Sequence, residues 1–393
     1  MPQYKQLISY IFAFLILTYY SFNNTQVTFN GTLQQCILFL LIALFILYLF
    51  TRTFKIKELV IYFVFAILGI VSYLSNHSTL FLILALSLAV FSTFSIKELL
   101  SFFVIYRSIF ISIIIFLSLI GVLNNNGREM YKSSVDSSVN TYSLGFGHPN
   151  QAAQAIGILL IVIFLLMLNN KNLLFEKFLF GIVFIAGFYW ITKSRTFFVC
   201  CFLALLIGVI QWIPFFEKSI KWIKKGYFLI ELIIIFFGLI LPALFSRFAS
   251  SPFVNVLDQI ASGRISFSAS VFSSYPITLF GSNFDSGFTE LQHIYGMGKY
   301  AVDNGYISFL FTYGLLYTVI YFVMLTILIK KLLQDEKYYF VWIILIVSIW
   351  GLFENIVWIP TLNITLLLWS QGLSRKLICK KTKQGIHYEG QKS

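Results

Sequence analysis

The chain has 393 residues, of which 59% are hydrophobic and 11% are charged. Soluble domains carry about 25% charged residues, and no polar stretch of this sequence is long enough to form a soluble domain beside a single anchor. The composition excludes a soluble enzyme, a disordered chain and a nucleic-acid-binding module. The formal net charge of +13 comes from basic residues in short loops between apolar runs, which is the pattern of the positive-inside rule.

The apolar residues fall into twelve runs, most of which approach the roughly 20 residues that a membrane-spanning helix needs. A run that crosses lipid must be helical, because hydrocarbon offers the backbone no hydrogen-bond partner. We therefore expect an all-α integral membrane protein in which residues 1–393 form one polytopic domain of about twelve transmembrane helices. The expected spans are 6–22, 33–50, 58–74, 78–94, 102–123, 152–168, 175–192, 196–215, 227–245, 305–329, 338–353 and 356–372.

The basic residues predict the orientation of these spans. If the N-terminus lies in the cytoplasm and the spans alternate, 21 of the 28 Lys and Arg residues face the cytoplasm. This bias predicts an even number of spans, both termini in the cytoplasm, and a basic cytoplasmic tail over residues 373–393. The first apolar run lacks a small-residue cleavage site, so we treat it as a span. The four cysteines indicate neither a disulfide framework nor a metal site.

Two of the outer loops are long, and long loops in compact proteins usually carry function or are disordered. One covers about residues 124–151 and is rich in Asn and Ser. The other covers about residues 246–304, and its apolar residues between Pro252 and Tyr275 have mixed helical spacing. We expect one or two amphipathic helices of this large loop to lie on the outer face of the membrane.

Two of the outer cations are candidates for binding an anion. Arg195 lies in a turn pinched between two spans, where a planar fork of donors suits a phosphate or a diphosphate. The alternative is an arginine that merely snorkels to the interface. Arg264 follows Ser262 and Gly263 in the large loop, and its two interpretations are a second diphosphate clamp and a solvated arginine. Two such arginines together indicate an anion site more strongly than either alone.

The segment that begins the tenth expected span carries a candidate acid–base group. Asp303 and Asn304 are both typical helix caps, and Tyr306 follows them. A carboxylate such as Asp303 at the outer membrane face is also suited to act as a general base that takes a proton from a sugar hydroxyl. The capping role and the catalytic role are compatible, so the sequence leaves both open.

Other polar residues of the outer segments are weaker candidates. Glu354 and Asn355 form the expected outer turn between the last two spans. For all of these residues a solvated side chain is the simpler interpretation. Four of them have groups that bind a sugar or a phosphate, or orient an acceptor: His148, Asn150, Glu290 and His293.

The sequence lacks the motifs of nucleotide and metal chemistry. It has no Walker-type phosphate loop, no His-Glu-x-x-His and no cysteine–histidine metal spacing. We therefore expect no cofactor. In an enzyme with a phosphate leaving group, the arginines would then neutralise the charge that a divalent metal neutralises elsewhere.

The order of the motifs, with about twelve spans and a long late outer loop, resembles the O-antigen polymerase and O-antigen ligase superfamily. The likeness covers most of the chain as topology and about 25 positions as motif. The motifs are Gly147-His148-Pro149-Asn150, Ser194-Arg195-Thr196, Ser262-Gly263-Arg264 followed by Pro276 and Gly281, and Asp303-Asn304-Gly305-Tyr306 followed by Gly314.

The resemblance implies a membrane glycosyltransferase of the GT-C class in the bacterial cytoplasmic membrane, acting at the outer face on undecaprenyl-diphosphate-linked sugars. It implies that Arg195 and Arg264 hold the lipid diphosphates and that the candidate residues around them bind substrate. The ligase branch has a histidine where this chain has Asp303. That departure favours the Wzy-type polymerase branch, which makes O-antigen, capsular or exopolysaccharide chains, with Asp303 deprotonating or orienting the acceptor hydroxyl.

The partners implied are the lipid-linked oligosaccharide, membrane lipids and the flippase and chain-length regulator of the same pathway, with no nucleic acid. Three other functions remain open: a ligase-type glycan transferase, a flippase or transporter of lipid-linked oligosaccharide, and a non-catalytic subunit of a synthesis complex. A transporter needs ionisable residues buried within its spans. The main ones are Glu231 and Arg107, and the sequence allows both to lie near cytoplasmic helix ends.

Overall fold

A computed structural model describes most of the chain. The part it describes consists of residues 3–27, 30–51, 53–125, 128–131, 138–168, 170, 172–210, 212, 226–247, 256, 258–259, 263–282, 284 and 302–373. Two predictions fall outside it: the basic tail after residue 373, and the candidate site residues Glu290 and His293.

The described residues form helices joined mostly by short connections. Within them we number the helices α1 Gln3–Ser21, α2 Gly31–Thr51, α3 Ile56–Asn76, α4 Leu80–Phe91, α5 Ile96–Leu119, α6 Pro149–Met167, α7 Leu174–Thr192, α8 Arg195–Ile210, α9 Gly226–Phe245, α10 Arg264–Ser274, α11 Gly305–Tyr313, α12 Leu315–Gln334, α13 Tyr338–Trp350 and α14 Thr365–Leu373. Strands β1 Arg128–Tyr131 and β2 Ser138–Thr141 form an antiparallel hairpin in the first long loop.

Eight of these helices are long and apolar enough to cross a membrane: α1, α2, α3, α5, α6, α7, α9 and α12. Three shorter apolar helices, α4, α8 and α13, lie among them. The prediction of a helical, multi-pass membrane protein is therefore confirmed. The predicted number of twelve spans is larger than the eight that length and composition support in the described part of the chain.

The tenth expected span, residues 305–329, is not one helix. Gly314, with φ of 88° and ψ of 173°, separates α11 from α12. The ring of Tyr306 stacks on that of Phe322 with centroids 5.5 Å apart, whereas a continuous helix would hold these residues about 24 Å apart. The two helices therefore fold back on each other as a hairpin, and the nine-residue α11 is too short to cross a membrane by itself.

A second backbone segment crosses the turn of this hairpin. The N–H of Leu315 donates to the carbonyl of Thr278 at 2.9 Å, and that of Leu316 to the carbonyl of Leu279 at 3.1 Å. Gly281 has a φ of 88°, and a Cβ on it would overlap the carbonyl of Thr312. The absence of a side chain at Gly281 is what lets the two backbones approach.

Helix α10 comes from the segment predicted to be amphipathic, and one of its faces packs against the bundle. It runs parallel to α11, because Arg264 at its start contacts Asp303 while Phe272 near its end packs on Phe311 with ring centroids 5.2 Å apart. Val271 of α10 is fully buried, whereas Ser273 and Ser274 are exposed. The helix therefore has a packed face and an open face, and its place at the outer face of the membrane stays a prediction.

Helices α6, α8 and α13 form the centre of the bundle. Gly157 of α6 faces both Trp350 and Phe197, and Gly208 of α8 faces Leu168. Helices α6 and α8 therefore run in the same direction, and α13 ends near the start of α8 and the middle of α6, pointing towards the start of α6. We call this end of the bundle the cluster end. After α13 the chain has no regular helix until α14, so only the second half of the twelfth expected span is helical.

Arg107 lies in the middle of α5 and not near a helix end. It is the twelfth of 24 residues and only 2% exposed. Its Nη1 donates to the hydroxyl of Ser21 at 3.0 Å, and its guanidinium lies 5.6 Å from the ring centroid of Phe110. The sequence-based placement of Arg107 near the cytoplasmic end of its helix is therefore wrong.

The close crossing at Gly281 predicts a large cost for a single methyl group. We expect Gly281→Ala to lower the free energy of unfolding by about 2 kcal/mol or more, because the residue must both adopt a left-handed conformation and displace a backbone. Gly187→Ala on α7 is the control, since nothing lies within 4 Å of a Cβ there. Thermal unfolding in detergent measures both; an equal change in the two variants would contradict the proposed crossing.

Candidate functional site

Four polar side chains from different parts of the chain meet at the cluster end. The Nε of Arg264 lies 3.3 Å from Oδ2 of Asp303, and its Nη2 lies 3.5 Å from Oε1 of Glu354. The amide of Gln154 donates to the other oxygen of Glu354 at 2.9 Å. We call Gln154, Arg264, Asp303 and Glu354 the ion cluster. The guanidinium of Arg264 thus bridges the carboxyl groups of Asp303 and Glu354, and the amide of Gln154 binds the oxygen of Glu354 that Arg264 does not contact.

The start of α11 positions Asp303. The neighbouring Asn304 is buried and caps α11, accepting from the N–H groups of Tyr306 and Ile307. Its amide also donates to the carbonyl of Gly238 at 2.9 Å. Gly238 lies in a π-helical stretch of α9, Phe236–Ile240, just before Pro242. Asn304 therefore joins α11 to α9 at this irregular turn.

Gly305 brings the two carboxyl groups together. Its N–H donates to the carbonyl of Gly351 at 2.9 Å. A Cβ on Gly305 would lie 2.7 Å from the carbonyl oxygen of Glu354. Only a residue without a side chain allows the start of α11 to touch the 351–354 segment, so Gly305 sets the spacing between Asp303 and Glu354.

A capping carboxylate holds the start of α10. Gly263 has a φ of 79°, and α10 begins at the next residue, Arg264. Oδ1 of Asp258 accepts from the N–H groups of Ile265 at 3.0 Å and Ser266 at 2.9 Å. Asp258 therefore fixes the first turn of α10 and with it the base of the Arg264 side chain.

The ion cluster has an open side and a closed side. The side chains of Arg264 and Asp303 are 26% and 36% exposed, whereas that of Glu354 is 4% exposed. Burial raises the pKa of Glu354, and the charge of Asp303 raises it further against the opposing effect of Arg264. Burial also raises the pKa of Asp303, while Arg264 lowers it. The environment therefore favours a proton on Glu354, leaving Arg264 and Asp303 as an ion pair facing the opening.

Arg195 lies at the cluster end but outside the ion cluster. It is exposed, and it is the first residue of α8. Phe197, two residues later, packs against the Gly157 region of α6, and Gln154 lies one turn from Gly157. Among the residues that the structure describes, no ion pair joins Arg195 to Asp303 or Glu354, both of which pair with Arg264.

His148 and Asn150 shape the start of α6 at the same end. Nδ1 of His148 accepts from the N–H of Asn150 at 3.1 Å, so the imidazole caps the helix. Both residues are partly exposed. Gln154 follows on the same helix, about 6 Å further along its axis. The structure thus brings the predicted His148 and Asn150 to the side of the bundle that holds the ion cluster.

Tyr306 and Asn304 lie behind the ion cluster, in the packing between helices. Tyr306 is 1% exposed, and its hydroxyl donates to the carbonyl of Ser348 at 2.9 Å. Asn304 is 5% exposed, with its amide on Gly238. Their contacts in the structure are with protein groups, and these contacts hold α11 in place.

Glu354 and Gln154 are the members of the ion cluster that sequence reasoning missed. The sequence favoured a solvated Glu354 in an outer turn, whereas the structure buries it against Arg264 and Gln154. One signal was available: Glu354 is the only charged residue between Lys337 and Arg375. A lone carboxyl in so long an apolar stretch is a candidate functional group.

The composition of the ion cluster suits an anionic or hydroxyl-bearing ligand. Within the described residues, no group of three or more His, Cys, Asp and Glu side chains is placed to hold a metal ion.

A search of family models, of curated proteins and of solved structures finds no match to this chain.

The buried carboxyl of Glu354 makes stability depend on pH. Burial raises the pKa of Glu354 from its ordinary 4.5 to about 8 in the folded protein, so the folded state binds the proton more tightly than the unfolded chain. The stability that this proton contributes is fully present below pH 4.5 and is lost as the pH rises through the folded pKa. We expect the melting temperature of the wild type to fall between about pH 5 and about pH 8, and that of Glu354→Gln to fall less over the same range. Thermal unfolding across this range measures the difference; parallel curves would contradict the assignment.

Proposed function

We propose that this protein is a Wzy-type polysaccharide polymerase, a metal-independent membrane glycosyltransferase of the GT-C class. It joins undecaprenyl-diphosphate-linked repeat units into O-antigen, capsular or exopolysaccharide chains at the outer face of the bacterial cytoplasmic membrane. The observation that carries the proposal is the contact of Arg264 with Asp303, 3.3 Å apart and both facing the opening. A cation for a leaving diphosphate and a base for an attacking hydroxyl are the two groups that this transfer needs.

In the proposed reaction, the acceptor hydroxyl oxygen attacks the anomeric carbon of the donor sugar. The bond from that carbon to the diphosphate oxygen breaks, and the diphosphate leaves as an anion beside Arg264. The hydroxyl proton goes to Asp303. The side chain of Asp303 is 36% exposed, which suits contact with substrate. The buried Glu354 contacts Arg264 on the side away from the opening and is itself fixed by a hydrogen bond from Gln154.

In this proposal, Arg195 binds the diphosphate of the second lipid-linked molecule. Polymerisation joins two lipid-linked molecules, so two phosphate groups must be held at once. Arg195 is exposed at the start of α8 at the cluster end, and it is free of contact with the described carboxylates of the ion cluster. His148 and Asn150, at the neighbouring start of α6, are placed to bind sugar hydroxyls.

The first test is extension of a purified lipid-linked repeat unit by the purified full-length protein. We expect Asp303→Asn and Arg264→Gln each to lower the rate about a hundredfold or more, because one removes the base and the other the charge beside the leaving group. The matched controls are Asp335→Asn and Lys331→Gln, which break an ion pair of 3.4 Å elsewhere on α12. Wild-type rates in the two site variants, or no extension by the wild type, would contradict the proposal.

Arg195→Gln should behave differently from Arg264→Gln. Because Arg195 is exposed and lies outside the ion cluster, we expect it to bind the lipid diphosphate equally in the ground state and the transition state. Its loss should raise KM about tenfold and change kcat little. Steady-state kinetics with varied lipid-linked substrate distinguishes this from a kcat effect, which would instead place Arg195 beside the leaving group.

A transporter of lipid-linked oligosaccharide is the second candidate, because the structure shows features that a transporter needs. The tenth expected span is broken at Gly314, and Arg107 is buried in the middle of α5. Broken helices and buried charges are common in transporters. Proteoliposomes with lipid-linked repeat units on one leaflet separate the two functions: a polymerase lengthens the glycan there, whereas a transporter moves it unchanged to the other leaflet.

A further inference from the structure

A groove opens on the surface of the bundle at the ends of α9 and α10, whereas the ion cluster lies at the start of α10. Its volume is about 610 Å³, within the range of about 300–1,000 Å³ that holds small ligands. One wall is the last third of α9, and the other is the end of α10 with the chain that follows it. Leu310 of α11 lies in its wall. The groove shares no residue with the ion cluster.

The wall of the groove formed by α9 is almost entirely apolar. Ile240 and Leu244 are each 44% exposed, and Ala243 between them leaves space for a chain. In a membrane this surface faces hydrocarbon, so lipid chains rather than water fill it. The occupant of the groove is therefore a flexible hydrocarbon chain.

Among the described residues that line the groove, Arg247 is the one that carries a charge. It lies two residues beyond the end of α9 and is exposed. Among the described residues, no carboxylate lies within ion-pair distance of its guanidinium. The groove thus has a cation at one end and an apolar floor that continues for more than two helical turns towards Leu239.

We propose that the groove is a binding site for one anionic phospholipid, with its phosphate on Arg247 and an acyl chain along Ile240 and Leu244. An arginine at the rim of an apolar groove matches a phosphate head group followed by a hydrocarbon chain. The lipid contacts the end of α10, the helix that begins with Arg264. Among the described residues of α10, Phe272 is the one that lines the groove, about two turns from Arg264.

The charge of Arg247 is what makes the site selective. Any membrane lipid can fill the apolar floor, but a basic residue at a membrane surface favours an anionic lipid by about fivefold. Phosphatidylglycerol has a net negative head group and two acyl chains, whereas phosphatidylcholine has the same chains and no net charge. A comparison of these two lipids isolates the role of Arg247.

The test uses the purified full-length protein in detergent with phosphatidylglycerol or phosphatidylcholine. Native mass spectrometry measures the lipid retained, and a photoreactive acyl chain maps the contact. We expect phosphatidylglycerol to be retained about fivefold better, with cross-links in residues 239–247 and 272–277. Arg247→Gln should remove the preference without loss of fold, because the side chain is exposed. Ala243→Trp should block both lipids by filling the groove.

The matched controls are Ala186→Trp on the exposed face of α7 and Lys55→Gln, both outside the groove, and neither should change retention. Equal retention of the two lipids by the wild type would overturn the proposal, as would an unchanged preference in Arg247→Gln or cross-links confined to other surfaces. Displacement of phosphatidylglycerol by an equimolar amount of undecaprenyl phosphate would also overturn it, because the groove would then be a site for an isoprenoid chain. These measurements need no catalytic turnover, so their outcome is independent of the proposed polymerase activity.

Discussion

The structure of the cluster end depends on one costly feature, a carboxyl group buried among apolar helices. Glu354 is 3% exposed, and an isolated carboxylate at such a depth would cost several kcal/mol. Three devices reduce this cost: the amide of Gln154, the guanidinium of Arg264 and a raised pKa that favours the neutral acid. Gln154 belongs to α6 and Arg264 to α10, so burying Glu354 obliges α6, α10 and the 351–364 segment to meet.

The broken tenth span serves the same requirement. A continuous helix through Gly314 would carry Asp303 away from Glu354, because α11 would then extend α12 rather than fold back along it. The hairpin works only because Gly305 and Gly281 lack side chains where backbones touch. The amide of Asn304 donates to the carbonyl of Gly238, so the π-helical stretch of α9 anchors the start of α11. The position of the candidate base follows from these contacts.

The sequence predicts the helices well and the site in part. Apolar runs and turn residues locate most of the helices, since helix formation in lipid is a local property, but they do not show that the tenth expected span is broken and that the first half of the twelfth is not helical. The motifs point to Arg264 and Asp303, which lie 39 positions apart and are in contact. The break at Gly314 was missed because the residues on both sides of it are equally apolar. Glu354 and Gln154 were missed because their pairing depends on which helices pack together, and no local pattern records that.

Charge balance decides how such a site binds a diphosphate. Asp303 and Glu354, if both ionised, would outweigh the single positive charge of Arg264 and repel an anion. A proton on Glu354, which its burial favours, leaves Arg264 and Asp303 neutral as a pair. An incoming diphosphate then competes only with Asp303 for the guanidinium, and each proton that Asp303 accepts from a sugar hydroxyl weakens that competition. In the proposed reaction, proton transfer to Asp303 thereby makes Arg264 more available to the leaving group at the step where negative charge develops on it.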